Sequence, residues 1–191
     1  MKLNHPLMHN NFLSSDMNAV KKLIKNKNLI LTQSKKVLEF ERRWSKWLGV
    51  KHSVFVNSGS SANFISMLIL KSLLPKKREI IVPTLTWVSD INSVIMSGFK
   101  PVFVDIDPKT LSMDQNQVLK KINKNTLAVF VTHVQGFNGL SDKLLKRIKS
   151  KNILLIEDVC ESHGATFRGK KLGTHGLISN FSFYFGSEWF W

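Results

Sequence analysis

Four short segments of the chain carry residue types suited to holding an anionic, planar ligand. The first is Asn57-Ser58-Gly59-Ser60-Ser61-Ala62-Asn63. Small residues let a backbone approach a ligand closely, the first amides of a helix carry partial positive charge, and serine hydroxyls add donors, which together suit a phosphate. A strand-to-helix turn with a serine N-cap accounts for the same residues. The segment has neither the Gly-Lys-Ser/Thr of a Walker loop nor a Gly-x-Gly-x-x-Gly spacing. The second is Trp87, which follows the apolar run Ile80-Ile81-Val82-Pro83 through Thr84-Leu85-Thr86. An indole at a strand end can stack on a flat ring or pack into a core. The third is Glu157-Asp158, two carboxylates ending the apolar run 153–156. Such groups are costly to bury unless a cation meets them. A protonated ring nitrogen is one such cation, and for Asp158 a helix N-cap is the alternative. The fourth is Phe181-Ser182-Phe183-Tyr184-Phe185-Gly186, an aromatic run with the Ser182 hydroxyl inside it.

These segments sit between elements whose pattern is regular. Residues 16–25 read as a short helix with Ser15 or Asp16 as cap and Val20, Leu23 and Ile24 on one face. Ser34 caps a longer helix in which Val37, Phe40, Glu41, Trp44, Trp47 and Leu48 recur at spacings of three and four, and Gly49 stops it. Glu41 is the one polar member of that stripe. Strands are then expected at 53–56, 79–82, 102–106, 127–131, 153–156 and 181–185. Helices are expected at 61–74 (ended by Pro75), 87–96 (stopped by Gly98), 114–122 and 141–149. Residues 166–174, with Gly169 and Gly173, read as a tight excursion. Short strands alternating with crossover-length helices predict an α/β fold: a mostly parallel sheet with helices on both faces. Ligands of such sheets bind at the carboxyl ends of the strands, where all four segments fall.

Composition narrows the function. The chain has 191 residues, 43% of them hydrophobic, enough for one substantial core. No apolar run approaches the roughly 18–20 residues of a membrane span, and the first residues lack an apolar signal region. A lone cysteine, Cys160, predicts no internal disulfide and no zinc site, hence no metal and a reducing cytoplasm. The net charge of +15 raises nucleic-acid binding, but the lysines occur singly or in pairs on polar helix faces. Solvated surfaces are the reading taken, with no nucleic-acid and no membrane partner.

Taken in order, SGSSAN, IVPTLTWVSDINSV, PVFVDIDPKTLSMD, THVQG, IEDVCESHGATFRGKKLGTHG and SNFSFYFG resemble the DegT/DnrJ/StrS sugar aminotransferase family over residues 29–186. The resemblance implies the large-domain portion of an aspartate aminotransferase-like fold that binds pyridoxal 5′-phosphate (PLP) or pyridoxamine 5′-phosphate. It divides the chain into an N-terminal helical segment (1–52), a partial cofactor-binding domain (53–186) and an aberrant tail (187–191). Carried over by position, Gly59, Ser60 and Ser61 match the phosphate turn, and Trp87 the aromatic stacked on the ring. Asp158 matches the partner of the pyridinium nitrogen, and Ser182 a serine that reaches the phosphate. Glu161 stands where aminotransferases of the family place Gln or His, and is a possible catalytic group. His133 falls in a loop near the cofactor, although a polar loop histidine is the simpler reading.

Family members place the lysine that holds PLP five residues after the serine matched by Ser182, and this chain has Ser187 there. A branch that includes the keto-deoxy-sugar 3-dehydratases has histidine at that position. SGSSAN, Glu161 and Phe185-Gly186 resemble this branch more closely. The expectation is a cytoplasmic enzyme for surface polysaccharide, most like a 3-dehydratase of nucleotide-linked 4-keto-6-deoxy sugars and a homodimer at full length. The chain itself is expected to be an inactive, truncated fragment. The alternatives are a sugar aminotransferase and a noncatalytic binding protein that keeps a vestigial pocket.

Overall fold

A computed structural model describes residues 12–74, 76 and 78–184. The chain divides between Phe55 and Val56 into two compact units.

The first unit holds α1 (Ser14–Ile24) and α2 (Lys35–Leu48). α1 starts ahead of the expected caps because Asp16, inside the first turn, reaches back and accepts from the Leu13 amide at 2.8 Å. In α2, Ser34 accepts from the Lys36 amide at 3.3 Å. Gly49 closes it in the left-handed conformation (φ 87°), which favours glycine. Trp44 and Trp47 stack with ring centroids 4.6 Å apart. The strand expected at 53–56 is absent. Its β-branched residues signal a strand, but its hydrogen bonds go to side chains. Glu41, the odd member of the α2 stripe, accepts from the Phe55 amide at 2.8 Å, and Ser53 bonds Ser45 at 2.7 Å. Val54 is left 80% exposed.

The second unit is the α/β sheet. Its order along the chain is α3 (Gly59–Leu73), β1 (Glu79–Pro83), α4 (Val88–Met96), β2 (Lys100–Val104), α5 (Gln115–Lys121) and β3 (Thr126–Thr132). Then follow α6 (Asp142–Ser150), β4 (Leu154–Asp158), the hairpin of β5 (Thr166–Phe167) and β6 (Lys170–Lys171), and β7 (Ile178–Asn180). Five strands lie in the order β2-β1-β3-β4-β7, every pairing parallel. Side chains alternate between the sheet's faces with the period of a strand. Ile80, Val82, Ala128, Phe130 and Ile156 join Met67 and Leu70 of α3 and Val94 of α4 in one core. Ile81, Val129, Val131 and Leu155 join Val118 of α5 and Leu144 and Ile148 of α6 in the other. Each large side chain fully buried there contributes roughly 1.5–3 kcal/mol. The helices therefore cover both faces, and nearly continuous apolar strands are the sequence mark of that burial.

The last strand differs from its expected place. β7 covers Ile178–Asn180, paired through Ile156↔Ile178 and Asp158↔Asn180. The aromatic run begins beyond it. β4 ends at Asp158, so residues 181–184 have no ladder to join, and Phe181 packs against the second core instead. Pro75, Phe185, Gly186 and the tail 187–191 lie outside the described residues.

Candidate active site

Because all five strands are parallel, their carboxyl ends share one edge of the sheet, and α3 begins at the same edge. Ser58 caps α3 by accepting from the Ser61 amide at 3.1 Å. The amides of Gly59 and Ser60, in the first turn, have no acceptor within the helix and carry its positive end. A methyl group on Gly59 would lie 3.4 Å from Ser182 Cβ, 3.7 Å from Ser182 Oγ and 3.5 Å from Cys160 Sγ. The start of α3, the turn after β4 and the segment after β7 thus meet at one point. Gly59, Ser60, Ser61 and Ser182 are brought together as a set of amide and hydroxyl donors, suited to an anion.

Strand alternation separates the two carboxylates of β4. Asp158 is 3% exposed, and its Oδ1 accepts from the Cys160 amide at 2.9 Å. This is a tight turn and not a helix cap, since no helix follows Asp158 before the strand at Thr166. Glu157 points to the opposite face and is fully buried. Its Oε1 accepts from the amides of His175 (2.9 Å) and Gly176 (2.6 Å), and its Oε2 from the Gly173 amide (2.9 Å). His133 completes the set at 3.2 Å. The Gly139 amide donates to His133 Nδ1 at 3.0 Å, which leaves Nε2 to carry the ring proton toward Glu157. Burial raises the Glu157 carboxyl, but the His133 hydrogen bond and the Gly173 and Gly176 amides outweigh it and hold the group below the usual range. His133 is therefore neither a loop histidine in solvent nor a ligand-facing group; it belongs to a buried anchor for residues 173–176.

Trp87 precedes α4 and is 65% exposed, so core packing does not explain it. Its neighbour Thr86 bonds Thr132 at 2.6 Å, and Thr132 is the ladder partner of Asp158. The indole therefore stands on a loop tied to the strand end that carries Asp158. Glu161 accepts from the Gln135 amide at 3.1 Å and steadies the turn of residues 134–136, where Gln135 sits at φ 50°. Ser162 holds the same turn through the Gly136 amide at 2.9 Å and the His133 carbonyl at 2.6 Å. Ser187 lies outside the described residues.

The structure adds a group of residues that the motifs did not single out. Asp90, on α4, is 1% exposed. Its Oδ1 accepts from Asn63 Nδ2 at 2.6 Å, and its Oδ2 is bonded by Thr86 and, at 2.9 Å, by Thr132. Asn63 also takes a bond from Asn180 at 2.8 Å, and Ser66 bonds Asn180 at 2.9 Å. Burial, then the negative charge of Asp158, push the Asp90 carboxyl well above the usual carboxylate range. Burial and the same aspartate also push the Cys160 thiol up. The signal was present in the spacing. Asn63 and Ser66 share the buried face of α3 with Met67 and Leu70, and Asp90 and Ser93 share that of α4 with Val94. Polar residues on an otherwise apolar stripe mark an internal network.

Among the described residues no three His, Cys, Asp or Glu side chains could hold a metal ion together, and no helix is long and apolar enough to cross a membrane. The site offers donors for an anion at the α3 start, an exposed indole and a buried carboxylate at Asp158.

Comparison with known proteins agrees with this chemistry. The sequence profile of the DegT/DnrJ/EryC1/StrS aminotransferase family matches residues 12–187. GDP-4-keto-6-deoxy-D-mannose 3-dehydratase of Yersinia pseudotuberculosis is 32% identical over 187 residues, covering 96% of this chain and 47% of the relative. GDP-perosamine synthase of Caulobacter vibrioides is 36% identical over 148 residues, covering 78% of this chain and 39% of the relative. Among solved structures, the E. coli GDP-4-keto-6-deoxy-D-mannose-3-dehydratase with bound hydrated PLP superposes with a TM-score of 0.85 at 31% identity. That match covers 95% of this chain and 47% of the other. The chain spans about half the length of such relatives.

Proposed function

The chain belongs to the DegT/DnrJ/EryC1/StrS aminotransferase family, and from that membership we propose that it carries the cofactor-binding part of a PLP-dependent enzyme of the 3-dehydratase type. The substrate class is a nucleotide-linked 4-keto-6-deoxy sugar, used for surface polysaccharide. The reading places the enzyme in the cytoplasm as a homodimer. The similarity to GDP-perosamine synthase favours an aminotransferase as the second reading.

The observation that carries the proposal is the meeting of the α3 start with Ser182 and Cys160, next to the buried Asp158. The residues fit the cofactor in their donors and charge. The amides of Gly59 and Ser60 and the hydroxyls of Ser60, Ser61 and Ser182 would hold its phosphate. Trp87 would cover one face of its ring, and Asp158 would bind the protonated ring nitrogen. The cofactor, when bound, supplies an electron sink at its protonated ring. The chain's own part is to fix the phosphate, orient the ring and keep the nitrogen protonated by placing a buried carboxylate against it. Glu161, held by the Gln135 amide, shapes the loop at the rim of the site.

The test is calorimetric titration of the full chain with pyridoxamine 5′-phosphate, which cannot condense with surface lysines. Saturable one-site binding that Asp158→Asn weakens by about tenfold or more, as expected for loss of a charge-assisted hydrogen bond, supports the reading. Absence of binding, or equal binding by Asp158→Asn, overturns it.

A further inference from the structure

Asp90 is a second carboxyl group beside the one that the proposed function uses, and its surroundings determine its state. Three oxygens, Thr86 Oγ1, Thr132 Oγ1 and Asp90 Oδ2, are in mutual hydrogen-bonding contact. Such a triangle has three edges, and the two threonine hydroxyls supply two protons. An ionised Asp90 would leave one edge with lone pairs facing each other. A proton on Asp90 Oδ2 fills the third edge and closes the ring, with Asp90 Oδ1 still free to accept from Asn63 at 2.6 Å. Burial and the charge of Asp158 favour the same proton and outweigh the threonine hydrogen bonds, which favour the charged form. Asn63 of α3, Thr86 after β1 and Thr132 of β3 are neutral, and the charged group acting on Asp90 is Asp158 of β4. Of the other titratable groups nearby, Cys160 is acted on by Asp158, Asp90 and Glu161, and His163 by Asp158. Two carboxylates this close do not both ionise at low cost.

We propose that Asp90 is a positioning residue for Asp158: a buried, neutral carboxylic acid that holds one proton within the Thr86–Thr132 ring. It leaves the negative charge on this face of β4 to Asp158, since the Glu157 carboxylate points to the opposite face. The assignment to a ring-nitrogen partner rests on the cofactor reading above; the proton on Asp90 does not. The network also explains why α3, α4, β3 and β7 carry polar side chains on buried faces. They hold the acid in place, and one of them, Thr132, is the ladder partner of Asp158.

Linkage makes the proposal measurable. A carboxyl whose pKa is raised on folding binds more protons in the folded chain than in the unfolded one. Its contribution to stability is then present in acid and is lost as pH rises from the unfolded value, about 4, toward the folded one. Asp90→Asn keeps a carbonyl for Asn63 and donors for the threonines but cannot ionise. In urea denaturation of the full chain between acid and mildly alkaline pH, the variant should gain on the wild type as pH rises, by up to about tenfold in the unfolding constant per pH unit. A stability difference that does not change with pH, or that changes in the opposite direction, overturns the proposal. Should the variant not fold, infrared spectroscopy of the wild type at neutral pH decides: a carbonyl stretch from a protonated carboxylic acid is expected, and its absence overturns the proposal. Pyridoxamine 5′-phosphate binding separates the two claims. A chain that shows the pH-dependent gain yet binds no pyridoxamine 5′-phosphate keeps Asp90 as a proton holder and refutes the cofactor reading.

Discussion

Replacing Glu157 tests whether this buried carboxylate is a structural anchor distinct from its neighbour Asp158. The wild-type carboxylate accepts from three backbone amides and from His133, and no part of its side chain is exposed. Glu157→Ala removes the acceptor for all four donors. The amides of His175 and Gly176 are only partly buried and recover water. Those of Gly173 and the His133 ring stay buried, each at a cost of roughly 1–3 kcal/mol. With the lost packing of the side chain, the change should destabilise the chain by about 3–5 kcal/mol, a large share of the roughly 5–15 kcal/mol that holds a domain together. Glu157→Gln keeps an oxygen for one pair of donors and turns an NH2 group toward the other, for a loss of about 1.5–3 kcal/mol. Urea denaturation at neutral pH reads both values. The Glu157 carboxyl is held below its usual range, so its stabilisation is present above the unfolded value, about 4.3, and is lost as pH falls through the folded one. The gap between wild type and Glu157→Gln should therefore narrow in acid. An alanine variant within about 0.5 kcal/mol of wild type would refute the anchor, because changes of that size are typical of surface positions.

Three further outcomes are expected. Borohydride treatment of the chain after incubation with PLP, followed by peptide mapping, should yield no stoichiometric pyridoxyl-lysine at the site, since position 187 is serine; one heavily labelled lysine near Asp158 would contradict noncovalent binding. The Cys160 thiol should react slowly with iodoacetamide at neutral pH, because burial and the charge of Asp158 push it up, and pyridoxamine 5′-phosphate should slow it further; rapid alkylation unaffected by the ligand would place the thiol elsewhere. Gly173→Ala should cost about 1–3 kcal/mol in a denaturation experiment, because φ is +88° and the new methyl group would fall on the Phe181 ring; an unchanged midpoint would show that the turn is adaptable.

How far the sequence could be read depended on whether a signal was local. Apolar strands with helical stripes between them determine the sheet and its covering, because each is set by the period of its own residues. Caps at Ser34, Asp114 and Ser141 are local in the same way, and all three accept hydrogen bonds from their own first turns. The two misplaced strands fail for a nonlocal reason. Residues 53–56 and 181–185 have strand-forming side chains, but a strand needs a partner. The first segment meets Glu41 and Ser45 in place of a neighbouring backbone, and the described part of the second, residues 181–184, runs past the end of β4.

The site shows the same division, and it explains why Asp158 was legible and Asp90 was not. Asp158 ends an apolar strand within a motif, so its chemistry could be argued from its immediate neighbours. Asp90 gains its meaning from Thr86, Thr132 and Asn63, which come from three other places in the chain. Its neighbours in sequence show only that a polar residue lies on the buried stripe of α4, and nothing of what it meets there. Glu157 and Asp158 were read as one pair of acids, yet the pleat sends them to opposite faces, where they meet opposite conditions. Glu157 is surrounded by donors that favour its charge. Asp90, across the sheet from it, is buried beside another acid, and these two effects disfavour a charge more than its hydroxyl partners favour one. A rise in pH therefore strains the face that carries Asp158 and Asp90, whereas a fall in pH loosens the face anchored by Glu157. The two substitutions, Asp90→Asn and Glu157→Gln, should move the stability profile at its alkaline and acid ends respectively, and a chain in which both act at the same end would show that the strand does not separate them.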